Sequence, residues 1–330
     1  MKEIEYTFMV TTYNYEKIVV ECLESIKYQI INYAHGKTIQ LILCDDASQD
    51  RTCKVMDAWV HKNLELFARV DKCYHIKNEG TCKNYVDGIR KIKGKKYREI
   101  SGDDLLPTNN IFEVMDLTET YDIVPAMSLA FIDGNIVKGT YRTYIDVIMQ
   151  GMYSFRQHRF LSKVICNIMN GNLVSMRLMS EDVLRYIEKY KLIEDQPQWY
   201  YIFKNNGKLN LYFSRKPTLL YRKSVNSVTG ANSRYRKICA KDLEMLRADA
   251  RSEMHSAWMK WCMNAIENQN IMNPLLWYIR GCKLLHLREI KKIYKEYVLA
   301  LAQENEIHLA NMRRKNLDFL RELEQNEYKI

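Results

Sequence analysis

Two adjacent acidic residues follow a small Ser-Gly pair in the segment Ser101-Gly102-Asp103-Asp104. Adjacent carboxylates repel each other, so a fold that gathers them must supply a nearby cation or shift their pKa values. A hard divalent cation that also holds a phosphate group would satisfy both carboxylates. The alternative is an ordinary solvated turn, because Gly and Asp are common turn residues and Pro107 follows closely. The rest of the chain bears on this choice.

A second acidic pair, Glu194-Asp195, stands at the predicted start of a helix. Carboxylates are favoured there by the helix dipole, so the pair has an ordinary structural explanation. A carboxylate beside a hydroxyl group can also accept its proton while that oxygen forms a new bond. The residues of the pair alone leave both explanations open.

Strands and helices are predicted to alternate in the first third of the chain. Apolar, β-favouring runs at residues 6–10 and 39–44 are each followed by apolar residues at helical spacing. A weaker run at residues 70–76 and a short one at 97–100 continue the series. This alternation predicts an α/β fold with an open, mainly parallel sheet flanked by helices.

Four polar segments come directly after these strands, at residues 11–14, 45–46, 78–80 and 101–104. Ligands bind open parallel sheets beyond the carboxyl ends of the strands, so these segments are expected to line one crevice. The chain has no GxGxxG or GxxxxGK[ST] pattern, which argues against a Rossmann dinucleotide site and a P-loop. The shared crevice favours a cation at the first acidic pair over a plain turn.

The 330-residue chain is basic, with a formal net charge of +10 and a pI near 9.0. A basic balance suits anionic partners, and no nucleic-acid signature is present, so we expect a nucleotide phosphate or a lipid headgroup and no nucleic acid. The nine scattered cysteines form no CxxC pair, which predicts free thiols in a reducing compartment and neither a disulfide framework nor a zinc site.

The ends of the chain bear on its location. The first five residues are charged where a signal peptide would be apolar, and no run approaches the ~18 apolar residues of a membrane span. We therefore expect a cytoplasmic protein, either free or peripheral on the inner face of the plasma membrane. Residues 231–330 are poor in glycine, have helical patterns, and carry 18 Lys and Arg against 13 Asp and Glu. This α-helical region is expected to pack on the rest of the chain or on a second subunit, or to bind an anionic membrane surface.

Six segments resemble, in residue type and in order, the motifs of glycosyltransferase family 2, the inverting enzymes with the GT-A fold. They are a T-x-Y-N type loop (11–14), D-D-x-S-x-D-x-T (45–52), N-x-G-x-x-x-N (78–84), the D-x-D metal motif (101–104), the E-D pair (194–195) and a Y-R-x-H-x-x-S type segment (221–227). The chain departs from the family pattern twice. Ser101 replaces the first Asp of the metal motif, and the His of the last motif is moved or lost, with Lys223 and Ser224 nearby.

The resemblance implies a GT-A fold with a C-terminal helical subdomain. Residues 1–110 would form the nucleotide-sugar-binding half, residues 111–230 the acceptor-binding half, and residues 231–330 the helical region. It also implies an inverting transferase of the hexosyl or N-acetylhexosaminyl type. The enzyme would move a sugar from a nucleotide-diphosphate sugar, with UDP favoured, to a hydroxyl of a glycan or lipid-linked acceptor during polysaccharide synthesis. Mg²⁺ or Mn²⁺ would assist.

The resemblance also implies roles for individual residues. Asp104 would be the main metal ligand, and Asp195 would be the general base with Glu194 as its neighbour or substitute. The donor would contact a further set of residues: Thr11, Tyr13, Asn14, Asp46, Lys83, Asp103, Arg222 and Lys223. In that set Asp46 accepts a hydrogen bond from the base, Tyr13 stacks on the base, and Asp103 binds the metal or the ribose.

Two other functions compete with the transferase. A non-catalytic GT-A domain would bind a partner through the helical tail, and Ser101 in the metal motif supports this alternative. A nucleotidyltransferase shares a nucleotide-binding α/β sheet. It usually has a Gly-rich loop with Arg or Lys after the first strand, and the segment Thr11-Thr12-Tyr13-Asn14 has neither feature.

Overall fold

A parallel four-stranded sheet forms the centre of the protein. The computed structural model describes residues 3–138, 171–212, 214–223, 235–253, 257, 288, 291–292 and 294–327. The sheet consists of β1 (Tyr6–Thr12), β2 (Ile39–Asp45), β3 (Arg69–Tyr74) and β4 (Lys96–Ser101), in the order β3-β2-β1-β4. Every residue of β1 and β2 is buried, as expected of parallel strands that are covered on both faces. This sheet confirms the fold class predicted from the sequence.

Three helices connect the strands of this sheet and cover its two faces. They are α1 (Val19–Tyr33), α2 (Thr52–Lys62) and α3 (Thr81–Ile89). Side chains alternate between the faces along each strand. In β1, Phe8 and Val10 join a core with Leu23 of α1, whereas Met9 joins a second core with Val86 of α3. The two cores hold the carboxyl ends of the strands in one rigid edge.

A second group of short strands continues the chain. It contains α4 (Phe112–Thr120), β5 (Ile123–Val124), β6 (Ala126–Ile132), β7 (Asn135–Ile136), β8 (Leu173–Val174), α5 (Glu181–Ile187), α6 (Asp195–Asn205) and β9 (Ser214–Arg222). The sheet β7-β6-β9 pairs β6 antiparallel to β7 and parallel to β9. At the turn between β6 and β7, Asp133 and Gly134 have φ of 48° and 84°, which suits a tight hairpin. Leu105 joins this group to β4, because its backbone exchanges hydrogen bonds of 3.1 and 2.8 Å with Leu220 of β9.

Helices follow β9 in the described part of the chain. These are α7 (Arg236–Ser252) and a π-helical segment (Tyr294–Leu299) that runs into the long α8 (Ala300–Glu327). α8 packs on α1, where Lys315 Nζ lies 3.0 Å from Glu24 Oε2. Leu309 and Met312 of α8 join Phe131 of β6 in a third core.

Residues 294–327 therefore pack on the α/β part of the chain, which is one of the outcomes expected for the helical region. The basic, apolar stretch at residues 273–280 lies outside the described residues. In the ranges that the structure describes, no helix is both long and apolar enough to cross a membrane.

His308 of α8 is expected to make the stability of the protein depend on pH. Its Nε2 lies 3.1 Å from the carbonyl oxygen of Leu106, and burial lowers its pKa from 6.5 to about 4. Since the folded-state pKa lies below the ordinary value, the unfolded chain binds more protons between pH 6.5 and 4. We expect the free energy of unfolding to fall as the pH falls through this window, by up to roughly 3 kcal/mol from this residue.

Chemical unfolding of the wild type and of His308→Gln, measured at pH 7.5, 5.5 and 4, tests this expectation. Gln keeps an N–H donor for Leu106 and does not titrate, so the variant should lack this part of the pH dependence. The matched control is His61→Gln, since His61 is exposed on α2. Equal pH dependence in His308→Gln and the wild type would show that His308 is not the titrating group.

Candidate active site

The carboxyl ends of β1, β2 and β4 lie side by side and carry the predicted polar loops. Thr12 is paired with Asp45 across β1 and β2, and Thr11 is paired with Ser101 across β1 and β4. The N–H of Gly102 donates to the carbonyl of Thr11 at 2.8 Å, which continues this register beyond the strand end. The loops after three separate strands thus share one edge, as the sequence predicted.

The first acidic pair lies at this edge in a largely buried setting. Asp104 is only 5% exposed, and its Oδ1 accepts the N–H of Arg222 at 2.8 Å. Asp103 Oδ1 accepts the hydroxyl of Ser101 at 2.6 Å. Burial, followed by the charge of Asp103, raises the pKa of Asp104 well above its ordinary value. Two crowded carboxylates in a poorly solvated place fit a hard divalent cation, which would relieve both effects.

Arg222 reaches the same place from the end of β9. Its Nε donates to the carbonyl of Asp103 at 2.6 Å, and its Nη2 donates to Glu21 Oε2 at 2.6 Å. Its guanidinium also lies 4.7 Å from the ring centroid of Phe131. Lys223 follows at the strand end, where its N–H donates to Phe131 at 2.9 Å. The structure therefore brings Arg222 to the first acidic pair and places the backbone of Lys223 at the same strand end.

Asp104 of the first acidic pair and both residues of the second acidic pair reach one cavity of about 140 Å³. Its wall contains four carboxylate side chains, those of Glu99, Asp104, Glu194 and Asp195. Asp195 begins α6, and its Oδ1 accepts the N–H of Gln196 at 2.7 Å. Burial raises the pKa of Asp195 to about 6, and burial, followed by the charge of Asp195, raises the pKa of Glu194 well above its ordinary value. The cavity thus offers a carboxyl group whose pKa lies close to neutrality.

Glu99 and Glu21 belong to the site but were not singled out from the sequence. Glu99 Oε1 accepts the hydroxyl of Thr11 at 3.1 Å, and burial raises its pKa. The sequence did offer one sign of Glu99. It is a charged residue in a short, buried parallel strand, between Arg98 and Ile100, and such a position needs a partner or a function. Glu21 is only 5% exposed. Its position on α1 does not indicate from the sequence that its partner is Arg222 of β9.

Asp46 binds the loop that precedes α3. Its Oδ1 accepts the N–H of Glu79 at 2.7 Å, and its Oδ2 accepts the N–H of Gly80 at 2.8 Å. His75 Nδ1 lies 3.1 Å from Oδ1. Gly80 has φ of 99° and passes so close to Lys191 that a Cβ would lie 2.5 Å from its carbonyl oxygen. Asp46 is thus held firmly at the edge of the sheet, with its carboxylate partly used by the protein.

The remaining predicted donor contacts differ in their surroundings. Tyr13 is half-buried in the loop after β1. Asn14 has φ of 60° and its side-chain oxygen accepts the N–H of Gln49 at 2.8 Å, so its amide holds the loop itself. Lys83 Nζ lies 2.6 Å from Asp87 Oδ1 and 3.1 Å from Glu188 Oε1. None of the eight predicted donor contacts is in the wall of the cavity, so the structure places them at the sheet edge beside it and not in it.

Comparisons with known proteins agree with this fold. A family model described as glycosyl transferase family 2 matches residues 7–188. The structure is similar to S. aureus TarS 1-349 in complex with UDP-GlcNAc, at 15% identity over 99% of this chain and 92% of that chain, with a TM-score of 0.54. It is also similar to the mannosyltransferase PcManGT from Pyrobaculum calidifontis in complex with GDP-Man and Mn²⁺. The identity there is 16% over 96% of this chain and 88% of that chain, with a TM-score of 0.55. None of the curated proteins matches the chain.

Gly102 controls how the first acidic pair sits against β1. A Cβ at this position would lie 2.6 Å from Thr12 Cγ2 and 3.2 Å from Tyr15 Cδ2. Thr12 cannot move aside freely, because its hydroxyl is hydrogen-bonded to Asp45 Oδ1 at 2.8 Å. We expect Gly102→Ala to lower the free energy of unfolding by about 1–3 kcal/mol, as overpacking of a close contact does.

Denaturant unfolding of Gly102→Ala and of Gly207→Ala measures this effect. Gly207 is the matched control, since a Cβ there would meet no atom within 4 Å. Its substitution should leave stability nearly unchanged or raise it slightly. Equal stabilities of the two variants would contradict the close contact at Gly102.

Proposed function

Because the chain belongs to glycosyl transferase family 2, it is a glycosyltransferase, and we propose that it transfers a sugar with inversion from a nucleoside-diphosphate sugar to a hydroxyl group. The acceptor in this proposal is a glycan or a lipid-linked sugar. The observation that carries the proposal is the cavity that both acidic pairs reach, Asp104 from the end of β4 and Asp195 from the start of α6. One pair can serve the leaving group while the other serves the attacking hydroxyl.

The donor would be bound by residues 1–110 together with the end of β9. We propose that Asp104 and Asp103 hold Mg²⁺ or Mn²⁺, which when bound neutralises the charge of the departing diphosphate. The UDP-GlcNAc of the TarS complex and the Mn²⁺ of the mannosyltransferase complex support a nucleotide sugar and a divalent metal, and we favour UDP. Arg222 contacts both residues of this pair and Lys223 follows Arg222 in the chain, and we propose that both add positive charge as the diphosphate leaves.

The nucleobase would lie at the loops after β1 and β2. Asp46 is fixed there by the N–H groups of Glu79 and Gly80 and by His75 at Oδ1, and its Oδ2 retains a lone pair for a base N–H. Tyr13 would stack on the base, with Thr11 and Asn14 beside it. Lys83 has less support than the others, because a phosphate contact would require it to leave Asp87 and Glu188.

Asp195 would be the general base. A pKa of about 6 keeps it mainly ionised at neutral pH and still close to the pH at which it works, which is the range that favours proton acceptance. Burial and the charge of Asp195 raise the pKa of Glu194 as well, and in this assignment Glu194 would be the neighbour or substitute of the base. In this assignment residues 111–230 supply the acceptor side, and attack from that side inverts the anomeric carbon.

The general base is tested by Asp195→Asn. Asn keeps an oxygen for the N–H of Gln196 but cannot accept the proton, so kcat should fall by about 10²–10⁴-fold with donor binding nearly unchanged. In the wild type, kcat/KM should fall as the pH falls below about 6, because Asp195 becomes protonated. Sugar transfer assays over pH 5–8 and donor titration by calorimetry measure both quantities.

Asp318→Asn is the matched control for this substitution, since its carboxylate is 64% exposed on α8. Its kcat and its pH profile should equal those of the wild type. Retained transfer in Asp195→Asn would remove this residue as the base and would move the assignment to Glu194.

The metal-binding role is tested by Asp104→Asn. The variant keeps an acceptor for the N–H of Arg222 and loses the charge that a divalent cation requires. Mutation of a residue that only hydrogen-bonds to a metal ligand typically weakens metal binding by roughly 10–100-fold. Asp104 would itself be a charged ligand, so its loss should weaken metal-dependent donor binding by at least about 100-fold. Titration of UDP-sugars with and without Mn²⁺ measures this, with Asp318→Asn again as the control. Unchanged metal dependence would count against Asp104 as the metal ligand.

A further inference from the structure

A cluster of metal-binding side chains lies at the end of β3 and on α3, apart from the carboxylates of the cavity. Cys73 Sγ, a ring nitrogen of His75 and a carboxylate oxygen of Asp87 lie within 4.8 Å of one another. All three side chains are half-buried. We call these three residues the Cys73 cluster. The proposed sugar transfer assigns no role to any of them.

The ring of His75 is placed between two carboxylates. Nδ1 lies 3.1 Å from Asp46 Oδ1, and Nε2 lies 3.1 Å from Asp87 Oδ2. A neutral imidazole has only one N–H, so one of these contacts would join a lone pair to a carboxylate unless a second positive species is present. That species is either a second proton on the ring or a metal ion at Nε2.

Asp46 settles which nitrogen faces the cluster. Its carboxylate accepts the N–H groups of Glu79 and Gly80 and lies 3.1 Å from Nδ1, so we assign the N–H of a neutral His75 to Nδ1, donating to Asp46. Nε2 then points its lone pair toward Asp87 and Cys73. A carboxylate that orients the histidine through its other nitrogen is the arrangement commonly found around histidine-bound metals.

The other two ligands are also oriented. Lys83 Nζ lies 2.6 Å from Asp87 Oδ1, which leaves Oδ2 for the cluster. Cys73 is paired in register with Cys44 of β2. A hydrogen bond from the buried Cys44 thiol is the main cause that lowers the pKa of Cys73, so the thiolate form is favoured.

We propose that Cys73, His75 and Asp87 bind a divalent cation of the Zn²⁺ type, with a fourth position open to water. One sulfur, one nitrogen and one oxygen ligand suit Zn²⁺, whereas the oxygen-only pair Asp103-Asp104 suits Mg²⁺ or Mn²⁺. Ligand atoms of a tetrahedral zinc site lie roughly 3.3–3.8 Å apart. The 3.1 Å between His75 Nε2 and Asp87 Oδ2 is near this range, and the wider separations need to close by about 1 Å.

This proposal departs from the expectation of no zinc site drawn from the sequence. That expectation rested on the absence of conventional ligand spacing. Cys73 and His75 are separated by one residue, and Asp87 comes from the helix after an intervening loop. Only the packing of α3 against β2 and β3 brings the third ligand to the other two.

A bound ion would join β3 to α3 and, through His75, would fix Asp46. It would therefore stabilise the loop of residues 78–80, whose N–H groups Asp46 binds. Binding to the folded chain alone raises its apparent stability, so the unfolding temperature should rise with Zn²⁺ concentration.

Titration of the full chain with Co²⁺ alone, after treatment with a chelator, tests the proposal. We expect one equivalent of Co²⁺ to give a thiolate-to-cobalt charge-transfer band and the strong visible bands of a tetrahedral site, and Zn²⁺ to abolish both. The charge-transfer band should persist in the double variant Asp103→Asn with Asp104→Asn, which separates this site from the proposed diphosphate metal. Absence of the band in the wild type would overturn the proposal.

Matched variants identify the sulfur ligand. Cys73→Ser should abolish the charge-transfer band, whereas Cys53→Ser, which removes another half-buried thiol, should retain it. If circular dichroism shows that Cys73→Ser is not folded, His75→Gln replaces it. His75→Gln should keep every thiol and weaken Co²⁺ binding by at least about 100-fold. A band that survives Cys73→Ser, or an unchanged Co²⁺ affinity in His75→Gln, would contradict the proposed ligands.

Discussion

Carboxylate side chains crowd one edge of the sheet, and the elements around that edge are arranged to hold them. Glu99, Asp104, Glu194 and Asp195 share the wall of one cavity, and burial raises the pKa of each. Such a group of like charges is costly unless the protein or a ligand supplies positive charge and hydrogen-bond donors. The fold supplies positive charge through Arg98 in the cavity wall, and donors through the hydroxyl of Thr11 and the backbone N–H groups of Arg222 and Gln196. A metal ion and a reacting hydroxyl, as proposed above, would reduce the repulsion that remains among these carboxylates.

The C-terminal helix belongs to the frame that holds this cavity. α8 binds the segment just after the first acidic pair, through His308 at Leu106 and Asn305 at the N–H of Thr108. It also holds α1, the helix that carries Glu21 and hence the partner of Arg222. The sequence predicted α8 to belong to a helical region of its own. In the structure it contacts both α1 and the segment that follows Asp104.

The sequence predicted the strand ends, the two acidic pairs and the polar loops, because these depend on local patterns: alternating burial, helical spacing and short motifs. It did not predict the partners that long-range packing selects. Glu21 looks like a solvated helix residue until β9 brings Arg222 to it. Lys83 looks like a phosphate ligand until α5 brings Glu188 within 3.1 Å. Asp87 joins Cys73 and His75 for the same reason, since ligand spacing along the chain says nothing about a helix that folds back over its strand.

The division of β1 between two cores has a consequence for how such a protein can change during evolution. Phe8 and Met9 face opposite cores, and Thr11 and Thr12 stand at fixed positions beyond them. Deleting one residue from this strand would turn every following side chain of the strand to the opposite face of the sheet. It would also draw the first residue of the polar loop into the sheet. Substitutions of similar volume can be absorbed there, but insertions and deletions cannot. The hairpin turn at Gly134 has open space around it, so changes of length are expected to accumulate in turns of that kind while the strands keep their count.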